Sequence, residues 1–408
     1  MQNWAGNITY STDRLAAPTS VEQLQELVAA APRVKVLGTG HTFNRIGDTD
    51  GELVTVRDLP PQLEIDETNR RATVPAGARY GEVAQALHAR GFALHNLGSL
   101  PHISVAGACA TGTHGSGNGN PCLAAAVRGV EFVRADGELV RIGEDDPELP
   151  GAALSLGALG VLTRVILAVE PTYDIAQEVW LDAPAATVLE HYDAITAAAY
   201  SVSLFSDPET PGRIDQIWLK RRAEPPVDGT RWGARPAAEE VHPLAGQDTR
   251  AATPQRGTRG PWHERLPHFR ASFTPSTGDE QQSEFFVPRE RAREAIEAVL
   301  ATDLSQALLV AEFRTIAPDE LWLSPFSRPT TALHFTWRDD DALVADALAR
   351  LQPAITPFDP RPHWGKVFAT EPADVQRHYP RLAEFRALAQ RLDPGRKFGN
   401  PFLERFVY

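Results

Sequence analysis

The chain has 408 residues, of which 42% are hydrophobic and 23% charged, an ordinary composition for a globular protein of roughly two or three domains. Its 53 acidic residues outnumber its 40 basic ones, giving a formal net charge of −13. This argues against a protein that grips nucleic acid or an anionic membrane, because both require clustered positive charge. The only cysteines are Cys109 and Cys122, which excludes a disulfide scaffold and a four-cysteine zinc site.

The first seven residues, MQNWAGN, lack the basic and apolar segments of a secretory signal. No stretch of the chain approaches the ~18 consecutive apolar residues of a membrane-spanning helix. We therefore expect a cytoplasmic protein with no membrane or nucleic-acid partner, acting as a monomer.

The first ~170 residues alternate helix and strand patterns, typical of α+β proteins. Ser20 and Gln23 predict a capping box at the start of a helix, followed by a short strand at 34–37. A second helix is predicted over residues 80–90, ended by Gly91. Asp136-Gly137 predicts a type I′ hairpin turn within residues 130–142, and residues 162–169 form another strand.

The composition changes near Glu170-Pro171, which predicts a first domain boundary. Residues 207–267 are rich in Pro, Gly, Arg and Asp with weak periodicity, and they predict a long surface excursion within a second domain. Apolar strand patterns then return; they lie at residues 284–287, 307–310 and 333–337, with an amphipathic helix at 288–300.

Two glycine-rich segments carry the strongest functional signal. Residues 36–44, VLGTGHTFN, predict a strand that runs into a loop whose backbone N–H groups can approach an anion closely. Residues 96–117, NLGSLPHISVAGACATGTHGSG, combine Gly, Ser and Thr with small apolar residues and fit neither an amphipathic helix nor a strand. A buried flavin or nucleotide needs such a segment, because it demands many donors and few bulky side chains.

Together these segments resemble the flavin domain of the vanillyl-alcohol oxidase family, and most closely the alditol oxidases. Further matching segments run almost the whole length of the chain; they are NWAGN at 3–7, SLGALGV at 155–161, AAYSVSLF at 198–205, GPWHERLPHFR at 260–270, HFTW at 334–337 and RPHWGKVF at 361–368. The resemblance implies an α+β fold of three parts. Residues 1–172 would bind FAD in two α+β subdomains, residues 173–362 would form a substrate-binding cap with an antiparallel sheet flanked by helices, and residues 363–408 would return to the FAD domain.

The resemblance also implies the cofactor contacts. His41 matches the histidine that bonds covalently to the 8α-methyl of the flavin, a link that fixes the cofactor and raises its potential. The stretch that wraps the pyrophosphate would consist of Val36, Leu37, Gly38, Thr39, Gly40 and Thr42. The other expected FAD contacts are Gly98, Ser99, Ser104, Gly107, Thr111, Gly112, Thr113, His114, Val161 and His363. No metal is expected.

On the substrate side, strand alternation places Glu312 and Arg314 on one face, with Phe313 on the other. His334 and Thr336 share a face in the same way. By resemblance, Arg314 and Lys366 position the terminal hydroxyl of a polyol and favour the developing alkoxide, while Ser99, Glu312 and Thr336 bind hydroxyls. His334 reads a further hydroxyl and is a candidate catalytic base.

The implied reaction is oxidation of the terminal hydroxyl of xylitol, sorbitol or similar alditols by hydride transfer to flavin N5, with O2 reduced to H2O2. Gly98 matches the position beside the oxygen-reactive flavin carbon, where a missing side chain leaves room for O2. Three alternatives remain: an aldonolactone oxidase or dehydrogenase of the same fold, a metal enzyme using His95, His102 and His114, and a non-catalytic sugar-binding protein.

Overall fold

The first part of the chain contains two main sheets with helices between their strands. The structure is a computed structural model that describes residues 1–273 and 278–408. The elements are β1 (Leu15–Ala16), α1 (Val21–Ala30), β2 (Val34–Val36), β3 (Glu52–Val54), β4 (Glu64–Asp66), β5 (Arg71–Pro75), α2 (Tyr80–His88), β6 (Phe92–Ala93), α3 (Val105–Thr111), β7 (Val127–Val133), β8 (Leu139–Gly143), α4 (Leu149–Ala153), β9 (Val161–Ala168) and β10 (Glu170–Pro171). A three-stranded parallel sheet has the order β1-β3-β2, and a five-stranded antiparallel sheet has the order β4-β5-β9-β7-β8.

The helix α1 begins as the sequence predicts, at a serine cap. The Ser20 hydroxyl accepts a hydrogen bond from Gln23 N at 3.3 Å. The Gln23 side chain accepts from Thr19 N rather than from Ser20 N, so the reciprocal half of the predicted capping box does not form. Leu24 and Val28 then bury the apolar face of the helix against β2 and β9.

The second part is built on one large antiparallel sheet. Its elements and those of the tail are β11 (Asp174–Pro184), α5 (Ala185–Glu190), α6 (Tyr192–Thr196), β12 (Ser201–Ser206), β13 (Arg213–Arg221), β14 (Arg235–Pro236), β15 (Arg256–Pro261), β16 (Glu280–Pro288), α7 (Ala292–Ala301), β17 (Leu308–Ile316), β18 (Thr330–Arg338), α8 (Asp341–Ile355), β19 (Arg361–Pro362), α9 (Pro372–Gln376), α10 (Leu382–Leu392) and α11 (Pro401–Phe406). The nine-stranded sheet has the order β14-β11-β13-β12-β17-β18-β16-β19, and β15 also pairs with β11.

The two faces of this sheet pack against different parts of the protein. One face carries Phe313, Phe335 and Leu204, which are buried with residues of α5, α7 and α8 in a single apolar cluster. Because side chains alternate along a strand, Glu312 and Arg314 point to the opposite face, as the sequence predicts. That second face is turned towards the first part of the chain and forms one wall of a cavity.

The C-terminal helices return to the first part of the chain. Phe385 and Leu403 belong to the same apolar cluster as Val74 and Val105. The strand β19 instead pairs with β16 of the large sheet. This packing supports the division at residues 172 and 362, which we retain as a proposal.

Three sequence-based expectations are wrong. Residues 105–111 of the second glycine-rich segment form the helix α3, which ends at Gly112 with a φ of +76°. The hairpin turn is not type I′, because only Gly137 (φ +88°) has positive φ, whereas a type I′ turn needs two such residues. The expected surface excursion at 207–267 contains β13, an interior strand whose Ile217 and Leu219 are fully buried.

In the described residues, no helix is both long and apolar enough to cross a membrane.

Candidate functional site

A cavity of about 610 Å³ lies between the first part of the chain and the open face of the large sheet. Both glycine-rich segments contribute to its wall, as do β16, β17 and β18 and the segment around Lys366. The predicted site residues that line it are Val36, Leu37, Gly38, Thr39, Gly40, His41, Thr42, Gly98, Ser99, Ser104, Gly107, Thr111, Thr113, His114, Glu312, Arg314, His334, Thr336, His363 and Lys366. Two others lie behind the wall: Val161 is fully buried in the apolar cluster of α1, and Gly112 packs towards Leu154 and Pro325.

The loop after β2 has the backbone of an anion cradle. Within the described residues, the N–H groups of residues 38–41 donate to no protein acceptor, although this loop lines the cavity. Thr39 Oγ1 accepts from Ser104 N at 3.3 Å, which joins the loop to the start of α3. A Cβ at Gly38 would lie 2.5 Å from Ser104 Oγ, so a larger residue would force the Ser104 hydroxyl to move. Free N–H groups beside small residues suit a pyrophosphate.

His41 stands on the cavity wall with its ring held on two sides. It stacks on Trp4 with ring centroids 4.7 Å apart, and its Nδ1 lies 3.0 Å from the carbonyl oxygen of Thr39. Burial lowers the pKa of His41 to about 4, so the imidazole is neutral at pH 7. A neutral imidazole keeps one nitrogen lone pair, which bond formation to an electrophilic carbon requires.

The strand register of the large sheet creates a row of polar side chains across it. His334 on β18 is directly opposite Glu284 on β16 and Glu312 on β17. Two residues further along β18, Thr336 lies directly opposite Gln282 on β16. Directly opposite residues share a face, so these side chains converge on the cavity.

Glu284 is the centre of this row. Its Oε1 lies 2.7 Å from Arg314 Nη2 and 3.2 Å from His114 Nε2, and its Oε2 lies 2.8 Å from Lys366 Nζ. The carboxyl is only 1% exposed, and burial alone would raise its pKa. The surrounding positive groups, Lys366 first, hold the pKa of Glu284 well below its usual value. The carboxylate therefore stays ionised and fixes the positions of both cations.

Lys366 also contacts His334, with Nζ 2.7 Å from Nδ1. Burial and the neighbouring ammonium lower the pKa of His334 to about 4. As long as Lys366 donates to Nδ1, a neutral His334 carries its proton on Nε2, which lies 3.3 Å from Thr336 Oγ1.

Glu312 is held by a different set of partners. Its Oε1 accepts from His268 Nε2 at 2.8 Å and lies 3.5 Å from Arg314 Nε. Within the described residues, no protein donor reaches its Oε2, and the residue lines the cavity. Arg314 Nη1 in turn donates to Ser99 Oγ at 3.3 Å. Glu312 thus keeps one oxygen available for a bound hydroxyl.

Sequence reasoning missed Glu284 and His268, and also Lys220, a buried lysine on β13 whose Nζ lies 3.2 Å from His268 Nδ1. For Glu284 a signal exists, since Glu280, Gln282 and Glu284 alternate along one strand and all three line the cavity. His268 and Lys220 lie in or beside a segment without strong periodicity, where no local pattern indicates which side chains turn inwards.

The three histidines of the metal alternative do not converge on one point. Each lies against a backbone carbonyl oxygen: His95 against Pro121, His102 against Ala271 and His114 against Gly115. In residues 1–273 and 278–408, no group of three or more metal-ligating side chains is found.

Two different protein families match the two parts of the chain that contribute most of the cavity wall. Residues 12–143 match the family described as FAD binding domain, and residues 279–406 match the family described as D-arabinono-1,4-lactone oxidase. The structure also resembles cholesterol oxidase from B. sterolicum, with a TM-score of 0.79 over 100% of this chain and 96% of that one. Their 13% sequence identity limits this likeness to the fold.

Full-length relatives cover the whole chain. An alditol oxidase from Streptomyces sp. (strain IKD472 / FERM P-14339) is 48% identical over 98% of this chain and 97% of its own length. An L-gulono-1,4-lactone dehydrogenase from Mycobacterium tuberculosis is 27% identical over 99% of the chain and 98% of its own length. The L-gulonolactone oxidase of Bos taurus is 26% identical over 100% and 98%. The chain therefore belongs to the alditol oxidase family of FAD-binding oxidoreductases, within the vanillyl-alcohol oxidase-type flavoproteins.

Proposed function

We propose that the chain oxidises the terminal hydroxyl of a linear sugar alcohol to the aldehyde and passes the electrons to O2, giving H2O2. Bound FAD supplies the hydride acceptor and the site of O2 reduction. The observation that carries this proposal is the meeting, in one cavity, of a pyrophosphate-type cradle and a row of polar groups spaced along a sheet.

The residues present fit FAD. The free N–H groups of residues 38–41 would hold the pyrophosphate, and the predicted small residues of the second segment would line the remainder. His41, neutral and held against Trp4, would carry the covalent bond to the flavin methyl group. His363 would lie near the ring system.

The charges of the cavity suit a neutral substrate. Arg314 and Lys366 are both paired with Glu284, and Arg314 also faces Glu312. Pairing leaves no uncompensated cation to attract a carboxylate or phosphate, whereas the free hydrogen-bonding capacity of these groups remains. A polyhydroxylated neutral molecule uses that capacity. An alcohol with a single hydroxyl would leave groups unpaired, at a cost on the order of 1–3 kcal/mol each.

The proton of the terminal hydroxyl leaves towards the pair formed by Lys366 and His334. Lys366 Nζ lies 2.7 Å from His334 Nδ1, so the ammonium can first pass a proton to the imidazole, and the neutral amine that remains can then accept the hydroxyl proton. Glu284 Oε2, at 3.6 Å from the same ring nitrogen, stabilises the positive charge that results. Arg314 and Lys366 favour the developing alkoxide, while Ser99, Glu312 and Thr336 orient the neighbouring hydroxyls.

The test is a peroxide assay of purified protein with xylitol, sorbitol and glycerol, run beside L-gulono-1,4-lactone and D-arabinono-1,4-lactone. We expect peroxide from the alditols and little from the lactones. The match of residues 279–406 to the lactone oxidase family makes a lactone oxidase or dehydrogenase the second candidate. Turnover of lactones alone would establish that candidate and overturn ours.

Covalent attachment is tested separately by acid precipitation. The flavin absorbance should stay with the wild-type pellet and move to the supernatant in His41→Ala. Wild-type protein that releases its flavin would contradict the proposed role of His41.

A further inference from the structure

A buried chain of three titratable side chains starts at the substrate wall of the cavity, which Glu312 and His268 line, and ends at Lys220 behind it. Lys220 on β13 is fully buried, and its Nζ lies 3.2 Å from His268 Nδ1. The other ring nitrogen, Nε2, lies 2.8 Å from Glu312 Oε1.

The proton positions follow from the partners. An ionised Glu312 can only accept, so His268 Nε2 must carry a proton. A neutral imidazole then has its lone pair on Nδ1, and Lys220 is positioned to donate to it. Lys220 has two further acceptors, the carbonyl oxygens of Leu266 and Pro267, so an ammonium there uses all three of its protons.

His268 itself is rigidly placed. Its backbone N donates to Ser99 O at 3.1 Å, and its backbone O accepts from Thr253 N at 2.9 Å. Its ring packs against both Trp218 and Phe205, with centroid distances of 5.2 and 5.5 Å. Ring rotation is therefore restricted, and only the proton distribution is free to vary.

We propose that Lys220 and His268 are positioning residues that fix Glu312 Oε1 and leave Oε2 free to accept a substrate hydroxyl. This inference rests on the proposed oxidation of sugar alcohols. Lys220 holds His268 in the tautomer that carries its proton on Nε2, and His268 donates that proton to Glu312 Oε1. Without the pair, Oε1 would still face Arg314 Nε at 3.5 Å, but no hydrogen bond from the described residues would fix it.

The electrostatics agree with this arrangement. Burial lowers the pKa of Lys220 well below its usual value, while Glu312 opposes that shift. The neighbouring positive groups, Arg314 first and then His268, hold the pKa of Glu312 below its usual value against the effect of burial. Lys220 therefore acts on Glu312 through its contact with His268.

The decisive variant is Lys220→Met in the FAD-loaded enzyme. We expect KM for xylitol to rise roughly tenfold to hundredfold, with a smaller fall in kcat, because a charge-supported hydrogen bond to substrate is weakened. We also expect the loss to appear in KM much more than in kcat, since Arg314, Lys366 and His334, which act on the reacting hydroxyl, keep their partners. A merely structural lysine would lower the amount of active enzyme without raising KM.

Two further variants keep the test informative if Lys220→Met does not fold. His268→Gln retains a donor for Glu312 and should preserve most of the affinity, whereas His268→Leu should lose it. The control is Tyr192→Phe, which removes a buried hydrogen bond to Thr331 on the helix-covered side of the sheet and should leave KM unchanged. Equal KM values for His268→Gln and His268→Leu, or a wild-type KM in Lys220→Met, would overturn the inference. A wild type that produces no peroxide from any alditol would instead refute the proposed function.

Discussion

Glu284 shows how a single buried carboxylate can organise a site. Its two oxygens hold Arg314 and Lys366 at 2.7 and 2.8 Å. Each cation is then presented to the cavity from a fixed direction. Lys366 has no helix or strand of its own to hold it, since it lies in the segment that follows β19. The carboxylate therefore supplies an orientation that secondary structure does not.

Replacing Glu284 with Gln should abolish most of the activity. The variant keeps the shape but leaves the buried Lys366 without its carboxylate partner and Arg314 with Glu312 alone, a loss on the order of 3–5 kcal/mol. We expect kcat/KM for xylitol to fall below about 1% of wild type, measured by peroxide production per bound flavin. Glu131→Gln is the control, because Glu131 is also a buried carboxylate paired with an arginine but lies outside the cavity. Equal losses in the two variants would show that Glu284 acts only through folding.

At Gly98, a small substitution should slow the reoxidation of the flavin by O2 while leaving the oxidation of the substrate in place. A Cβ there would lie 3.3 Å from Thr113 Cγ2, on the cavity wall. We expect Gly98→Val to slow reoxidation by O2 roughly tenfold or more, about 1.4 kcal/mol of barrier, because the side chain fills the space proposed for oxygen.

Stopped-flow reoxidation of the reduced enzyme measures this effect, and turnover with an artificial dye should persist. Gly98→Ala provides a graded control with a smaller loss. If O2 and dye turnover fall in parallel, Gly98 does not control access of oxygen.

At the scale of single residues, the alternation of Glu312, Phe313 and Arg314 was sufficient to predict which side chains share a face, because a strand has a strict period of two. The partners of Glu312 could not be predicted in this way. His268 contacts it across 44 residues of sequence, in a segment whose conformation depends on its backbone bonds to Ser99 and Thr253. Such a contact leaves no local pattern in the sequence.

Among the elements, the hairpin of β7 and β8 illustrates a turn set by its surroundings. Arg134 N donates to Glu138 O, which closes a three-residue loop with Gly137 in the left-handed region. Gln25 of α1 donates its side-chain amide to Gly137 O at 2.8 Å, so the turn is docked on a helix. Asp-Gly alone favours a type I′ turn, but a longer loop with one left-handed glycine is the next common solution.

Gly137→Ala should destabilise the protein by roughly 1–3 kcal/mol, because a Cβ adds strain at positive φ and would lie 2.8 Å from Gln25 O. Urea unfolding measures the change. Gly143→Ala, on the same hairpin, is the control: its φ is not positive, and its added Cβ would meet no heavy atom within 4 Å. Activity per folded molecule should be unchanged in both, and equal stabilities would contradict the docking argument.

The wrong predictions for β13 and α3 share a cause. The strand β13 carries Arg213, Asp215 and Lys220 among its apolar residues, and this mixed pattern is typical of a loop. In the structure it is an interior strand that pairs with β11 on one side and with β12 on the other. The helix α3 has seven residues of small side chains and no amphipathic period. In both cases tertiary contacts, rather than local preference, determine the element.

Across the whole molecule, the cavity is assembled from segments far apart in the chain. Asn44 Nδ2 donates to the carbonyl oxygens of Trp364 and Lys366, both at 2.8 Å, and so ties the first glycine loop to the substrate lysine. Asn400 similarly donates to the carbonyl oxygens of Arg45, Ile46 and Asp48. The family resemblance predicted that these segments meet; residue patterns alone contain no information on contacts across more than 300 residues.

Lys35 makes a third such connection, and it should give the stability of the protein a distinctive pH dependence. Its buried Nζ lies 3.1 Å from Phe398 O and 3.4 Å from the carbonyl oxygens of Leu156 and Gly157. Burial lowers its pKa from 10.5 to about 7, against the opposing influence of Asp393. Between these two values the unfolded chain holds a proton that the folded protein has released. Stability must therefore rise with pH across this window, whereas below pH 7 the folded state has to bury the charge.

Comparing wild type with Lys35→Met isolates this effect. The unfolding free energy of the wild type relative to the variant should increase between pH 7 and 10, by at most about 1.4 kcal/mol per pH unit. Urea unfolding at pH 7, 8, 9 and 10, on samples of equal flavin content, gives the difference. Because methionine fills a similar volume without titrating, every other ionisable group cancels in the comparison. A constant difference over this range would mean that Lys35 remains an ammonium in the folded protein, held by its three carbonyl oxygens and Asp393.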